Sequence, residues 1–315
     1  LFAVLMIITF GFAYNSVQSN TICQAWQKAF GIEPATMGIV LTVLTLLIIF
    51  GGIQRVAKFS STVVPVMAVV YLLIAVGVVI WNITSLPMVL LAIVENAFGL
   101  NQAAGGVLGV TVIQGIKRGL FSNEAGEGSA PNAAAVATVS HPVKQGLIQA
   151  LGVFTDTLVV CSCTAFIILV SGVDVTASNG IQLTQDALTH EIGSIGNPFV
   201  AVMICLFAFS SIIGNYYYGE TNVRYIRDSK LGVFIYRLAV AAMVMVGAVV
   251  SLDFAWSFAD ITMALLTLCN LVAIVLLSRQ AVFLLQDYRQ QKKEGKNPVF
   301  CKDKMPEIAD KLEAW

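Results

Sequence analysis

Residues 115–135 read GIKRGLFSNEAGEGSAPNAAA and set Lys117, Arg118, Ser122, Asn123, Glu124 and Glu127 among glycines at 115, 119, 126 and 128, with Pro131 behind them. Glycine and proline lower helix propensity. A helix entering this stretch is therefore expected to lose regularity over 121–128, with regular helix on both flanks. A broken helix offers unpaired N–H groups at one half and unpaired C=O groups at the other. The first suits a carboxylate and the second a cation. A second cluster, FAFSSIIGNYYYGE, brings Ser210, Ser211, Asn215 and Tyr218 to helical spacings around Gly214, so several can share one face. Two adjacent hydroxyls can ligate a small hard cation through oxygen. The same residue types also serve as contacts between membrane helices. Asp156, in GVFTDTLVV, is a lone carboxylate in an apolar run. It can pair with Lys117 or Arg118, or relay protons.

Other chemistries find little support. His141 and His190 fall in separate connections, and no Asp pair lies within an apolar run, so a nucleophile with its base is not visible. The six cysteines lack zinc spacing, and Cys161 and Cys163 point to different sides of a helix. Buried free thiols are the expectation.

The elements that must hold these groups are apolar. Of 315 residues, 57% are hydrophobic and 11% charged, and the mean hydropathy is +0.83. Fourteen of the 36 charges lie from Arg279 onward. Such a composition excludes a water-soluble enzyme, and a net charge of zero gives no footing for nucleic acid. Apolar runs at about 1–19, 36–53, 61–82, 147–172, 198–219, 232–251 and 258–285 can each cross a bilayer, for which roughly 20 residues are needed. The Gly-rich stretch 104–140 makes an eighth crossing. Read instead as a loop, 115–131 would leave flanking segments too short to cross and would invert the charge asymmetry beyond them. Arg55 and Lys58, Lys144, and Arg224, Arg227 and Lys230 occupy alternate connections, whereas 83–103, 173–197 and 252–257 hold no Lys or Arg and 20–35 holds only Lys28. By the positive-inside rule the C-terminus is cytoplasmic, and eight crossings place the start inside as well. The charged stretch 286–315 is expected to be a loosely ordered cytoplasmic tail. The chain opens at Leu1 within an apolar run, which reads as the C-terminal part of a longer protein.

GIKRGLFSNEAGEGSAPNAAA followed by HPVKQGLIQALGVFTDTLVVC resembles the signature region of the sodium:alanine/glycine symporter family. FAFSSIIGNYYYGETN and the segment 253–260 follow the same pattern, so the likeness covers at least 36–285. The resemblance implies an all-α, LeuT-like fold of two inverted five-helix repeats, here beginning at the third helix and lacking the first two core helices. Residues 1–285 would be the transporter domain: 1–103 the remainder of the first repeat, 104–285 the second repeat with 104–140 as its broken helix. It implies sodium-coupled symport of a small neutral amino acid such as alanine or glycine through a bacterial plasma membrane. Proton coupling or a broader specificity is the alternative. Sodium is then the coupling ion, with no cofactor, and the partners are the amino acid, sodium and lipid. By the same resemblance Phe121, Ser122 and Asn123 meet the substrate, with Phe121 as an apolar wall. Ser211 and Asn215 face its side chain, Ser210 and Ser211 ligate sodium, and Tyr14 is a gate aromatic. Asn215 stands where some members carry tryptophan, which would enlarge the pocket.

Overall fold

The computed structural model describes residues 1–51, 53–97, 105–307, 309 and 312, with only the backbone described at 53–60, 63, 64 and 105–111. Residues 98–104 of the expected outer connection and the last residues of the tail lie outside that set, as do the side chains of Arg55 and Lys58. The described residues are helical, without strands. Helix α1 spans Phe2–Phe30, α2 Pro34–Ile49, α3 Ile53–Trp81, α4 Leu86–Ala97, α5 Gly105–Asn123 and the short α6 Ala130–Ala134. Then follow α7 Pro142–Val170, α8 Ile181–Ile192, α9 Gly196–Ile226, α10 Lys230–Val249 and α11 Leu252–Lys293.

Among the described residues, five stretches are long and apolar enough to cross a membrane: α1, α7, α8 with α9, α10 and α11. A sixth appears if the last part of α3 and α4, bent by 102°, make one span. The other two expected crossings fall short of that standard. At 16 residues α2 is about 24 Å long, below ~30 Å of hydrocarbon, and α5 carries the polar residues of the break. The expected connections shrink as well. Residues 20–30 extend α1, which ends where Gly31 adopts a left-handed φ of 68°. The backbone of 54–60 belongs to α3, α4 and α8 occupy parts of 83–103 and 173–197, and 252–257 opens α11. The last of these is capped by Ser251, which accepts from the Phe254 N–H.

Apolar seams join α1 to its neighbours. Ile22, Leu41, Ile212, Ile213, Val240 and Val244 form one core between α1, α2, α9 and α10. Gly247 lets α10 approach α1 so closely that a Cβ there would sit 2.5 Å from the Ser16 backbone. Ser19 and Asn20 exploit the approach, donating to the carbonyls of Val244 and of Gly247 and Val250. Small residues and polar side chains that close a helix pair in this way are the usual cement of membrane bundles. Away from these seams the helices are apolar and open: only 11% of the α7 window and 17% of the α11 window are buried within the chain. Such faces suit lipid.

Two helices widen locally to i→i+5 turns, Ile7–Tyr14 in α1 and Asp156–Cys161 in α7. Asn15 donates to the Gly11 carbonyl and Ser162 to that of Thr157, which satisfies acceptors at each widening.

The tail departs from expectation. With 42 residues α11 is about 63 Å long, so its charged end around Asp287 stands clear of the hydrocarbon. The chain then folds back. Phe300 N–H donates to the Ser140 carbonyl, Ser140 Oγ to the Pro298 carbonyl, and Lys144 to Asn297. Asp287 pairs with Lys304 at 2.6 Å and meets the fully buried His141 at 3.3 Å. The Val143 N–H occupies His141 Nδ1, so Nε2 carries the hydrogen toward Asp287. Residues 297–304 are thus pinned rather than loosely ordered, because His141, Tyr288 and Phe300 supply an apolar anchor that a charge count does not reveal. All six cysteines are free, but only Cys23 is buried as expected: Cys163, Cys205 and Cys269 are half-buried, and Cys161 and Cys301 are exposed.

Candidate functional site

The break falls where expected but is shifted. Helix α5 runs through Asn123, and regularity is lost over 124–129 rather than 121–128. Glu124 takes a φ of +48°, and Gly126 and Gly128 take +78° and +79°. A non-glycine residue at positive φ is uncommon and clusters at functional sites. The last turn of α5 stays helical because its side chains are held from both sides. The C-terminal flank is short: α6 has five residues with Pro131 in its first turn, and 135–141 is not helical.

On one side lies an aromatic layer. Phe121 packs on Tyr14 at 4.6 Å and on Trp256 at 4.8 Å between ring centroids. Phe10 extends the layer from Tyr14 to Tyr218. Arg118 lies 4.1 Å over the Trp256 ring and grips both oxygens of Asp260, at 2.6 and 2.8 Å. Lys117 adds a looser contact to Asp260 at 3.5 Å. The basic pair of α5 is therefore matched by Asp260 of α11, one turn beyond Trp256, and not by Asp156.

The other side is polar. Ser122 donates to Asp156 at 2.6 Å, and Thr157 donates to Asn123 at 2.8 Å. A cleft of about 360 Å³ opens here, lined by Ser122, Asn123, Glu124, Gln149, Asp156 and Tyr218. Below it Asn270 donates to the Gly126 carbonyl, and Asn222 links to Asn132. Both partners of the break, Tyr14 through Glu127 and Asp156 with Thr157, come from the widened turns of α1 and α7. Widenings of this kind recur at functional sites. Sequence reasoning missed them, since FGFAY and DTLVVC carry no local signal for an extra residue per turn.

Of the expected site residues, Tyr14, Phe121, Ser122 and Asn123 come together at the end of α5. Asn215 is buried and donates to Asn15 of α1. Ser210 and Ser211 both donate to the Phe207 carbonyl of their own helix, at 2.7 and 3.2 Å, and keep their oxygen lone pairs. Among the residues of α9 it is Tyr218 that reaches the cleft. Trp256 and Asp260 enter the site without having been singled out for it. The i,i+4 spacing of Trp256 and Asp260 is the signal that could have found them.

A helical, polytopic membrane chain in which a helix breaks around polar groups has an anatomy that secondary transporters share. The comparisons agree: the sodium:alanine symporter family model matches residues 1–302, and the chain belongs to that family. It is 53% identical, over 96% of its length, to a Bacillus subtilis (strain 168) protein named as a probable sodium/glutamine symporter, GlnT. It is 51% identical, over its whole length, to the amino-acid carrier protein AlsT of the same organism. A sodium/proton-dependent alanine carrier protein of Bacillus sp. (strain PS3) is 37% identical over 94% of the chain. The chain spans 64, 67 and 70% of the lengths of these relatives, respectively. Their names describe carriers and symporters, not enzymes.

Proposed function

We propose that the protein carrying this chain couples inward sodium movement to uptake of a small neutral amino acid by alternating access across a bacterial plasma membrane, with the C-terminus cytoplasmic. The break at 124–129, opening onto a polar cleft beside Ser122 and Asn123, is the observation that carries this reading. Irregular backbone among ionisable groups is tolerated in hydrocarbon where it faces protein or a cavity. In this reading residues 1–285 form the transporter domain, with 104–285 its second inverted repeat. Phe121, Ser122 and Asn123 meet the amino acid, with Tyr14 behind Phe121 as the gate aromatic. Ser211 and Asn215 face the substrate side chain, and the lone pairs of Ser210 and Ser211 serve sodium. One sodium ion entering down ~100 mV releases about 2.3 kcal/mol, enough for a roughly fifty-fold gradient of an uncharged solute.

Alanine and glycine are the proposed substrates, and glutamine is the larger solute to compare, given the name of one relative. Proton coupling is the second reading, favoured by Asp156 at the cleft. The test is uptake of labelled alanine, glycine and glutamine into proteoliposomes under an inward sodium gradient, against potassium, with and without a proton gradient. Sodium-dependent accumulation of a small neutral amino acid is expected, and Asn123→Ala should abolish it at normal expression. A half-buried amide lost from the site leaves its partners unsatisfied, at a cost of about 1–3 kcal/mol. Uptake that ignores sodium would overturn the reading.

A further inference from the structure

Among the described residues Glu127 is a buried carboxylate with one oxygen that meets no donor. It sits in the middle of the 124–129 break and its side chain is fully buried. Its Oε1 accepts a hydrogen bond from the Tyr14 hydroxyl at 2.7 Å. Its Oε2 is buried with no hydrogen-bond partner. An ionised carboxylate has about four acceptor sites to satisfy, and one donor is far too few.

Among the described residues no cation pairs with it. The nearby basic groups, Lys117 and Arg118, are both committed to Asp260. From each element packed around it, Glu127 meets neutral or acidic chemistry. Tyr14 comes from α1, Tyr218 from α9, and Glu124 from the break itself. Glu124 already holds the Ser129 hydroxyl. Asn270 of α11 spends its amide on the Gly126 carbonyl, and Thr267, whose methyl packs toward Gly126, has a buried Oγ1 that is itself without a partner. A second negative charge in this setting would be opposed by both burial and Glu124.

We propose that Glu127 is a proton-carrying site of this break: in the conformation seen here its Oε2 bears a proton, which is exchanged with water as the break rearranges during transport. The proton leaves Oε2 for water when the break opens to one side and returns from water on the other, while the Tyr14 hydroxyl can donate to Oε1 in either state. The hinge is at hand, since Glu124, Gly126 and Gly128 all hold left-handed backbone within four residues of Glu127. The assignment rests on the transport reading above and moves the proton from Asp156 to Glu127. Asp156 lies at the edge of the cleft and already accepts from Ser122. A sodium ion on Oε2 is the competing occupant, because it offers the same oxygen the same charge.

Two measurements on the intact protein test this. Infrared spectra at neutral pH should show a protonated carboxylic acid in wild type that is missing from Glu127→Gln and retained in Asp156→Asn. Persistence of the full band in Glu127→Gln, or its absence from wild type, overturns the proposal, whether or not the protein moves amino acids. In proteoliposomes, the sodium concentration for half-maximal uptake should change with pH by up to tenfold per unit in wild type, in either direction, and stay flat in Glu127→Gln. If the variant instead loses sodium affinity equally at every pH, sodium and not a proton occupies Oε2. Should Glu127→Gln fail to fold, disappearance of the wild-type band on raising the pH, with Tyr14→Phe shifting that transition, supports the assignment equally well. A band insensitive to both sinks the assignment. Absence of sodium-driven uptake in wild type would remove the transport reading alone, because the infrared result stands independently of it.

Discussion

Gly128→Ala tests whether the break has one required geometry. Gly128 holds a φ of +79°, and an added Cβ would lie 2.7 Å from Cγ and Oδ1 of Asn270 and 2.8 Å from Cζ of Phe2. A left-handed backbone costs an L-residue roughly 1–2 kcal/mol. Forcing a methyl group between two packed side chains costs about 1–3 kcal/mol. The two effects act together, so the variant should lose roughly 2–5 kcal/mol. Moving Asn270 aside to relieve the overlap would sacrifice its 2.8 Å bond to the Gly126 carbonyl, worth about 0.5–1.5 kcal/mol, and offers no escape. The internal control is Gly119→Ala, in regular helix with nothing within 4 Å of the new methyl. There alanine should be neutral or stabilising by up to about 1 kcal/mol. Unfolding in mixed micelles of graded SDS content, followed by tyrosine and tryptophan fluorescence, measures both. The double variant Gly128→Ala with Asn270→Ala should recover part of the overlap cost, leaving the backbone cost. Equal stability of Gly128→Ala and Gly119→Ala would show that the break adapts freely and that its left-handed turn is not required.

Replacing both Ser210 and Ser211 by Ala should raise the sodium concentration for half-maximal uptake, and an unchanged sodium curve would place the cation on other helices. Burial pushes the Asp287 carboxyl up, but Lys304, His141 and Gln291 outweigh it and hold the group below the usual carboxylate range. The pairing therefore contributes above the ordinary carboxylate pKa of about 3.9 and is lost as pH falls through the lowered value. Protease protection of the tail at Lys302 should accordingly be flat from neutral to mildly acidic pH and weaken only below roughly pH 4. Asp287→Asn should expose the same bond to protease at neutral pH, and unchanged protection would show that Phe300 and His141 suffice to hold it.

The sequence by itself determined the class of protein and the place of the break. Apolar runs are set by composition along the chain, and four glycines with Pro131 interrupt a helix whatever surrounds it. Phe121, Ser122 and Asn123, expected within the break, stand instead on the last helical turn before it. Partner choice was not legible, because a charge pairs with whichever helix packs beside it. Lys117 and Arg118 had Asp156 in prospect, and the packing of α5 on α11 gave them Asp260 instead. Helix ends moved for the same reason: residues 20–30 and 181–192 are polar enough to read as loops, yet neighbouring helices keep them regular. Ser122 and Asn123 remain helical because Asp156 and Thr157 of a widened turn in α7 bind them, a turn with no signature of its own. The solitude of Glu127 could be known only from the tertiary structure. Its residue type was plain in the string GEGS, but whether a carboxylate is solvated, paired or left with an empty oxygen depends on what the fold brings within reach of it.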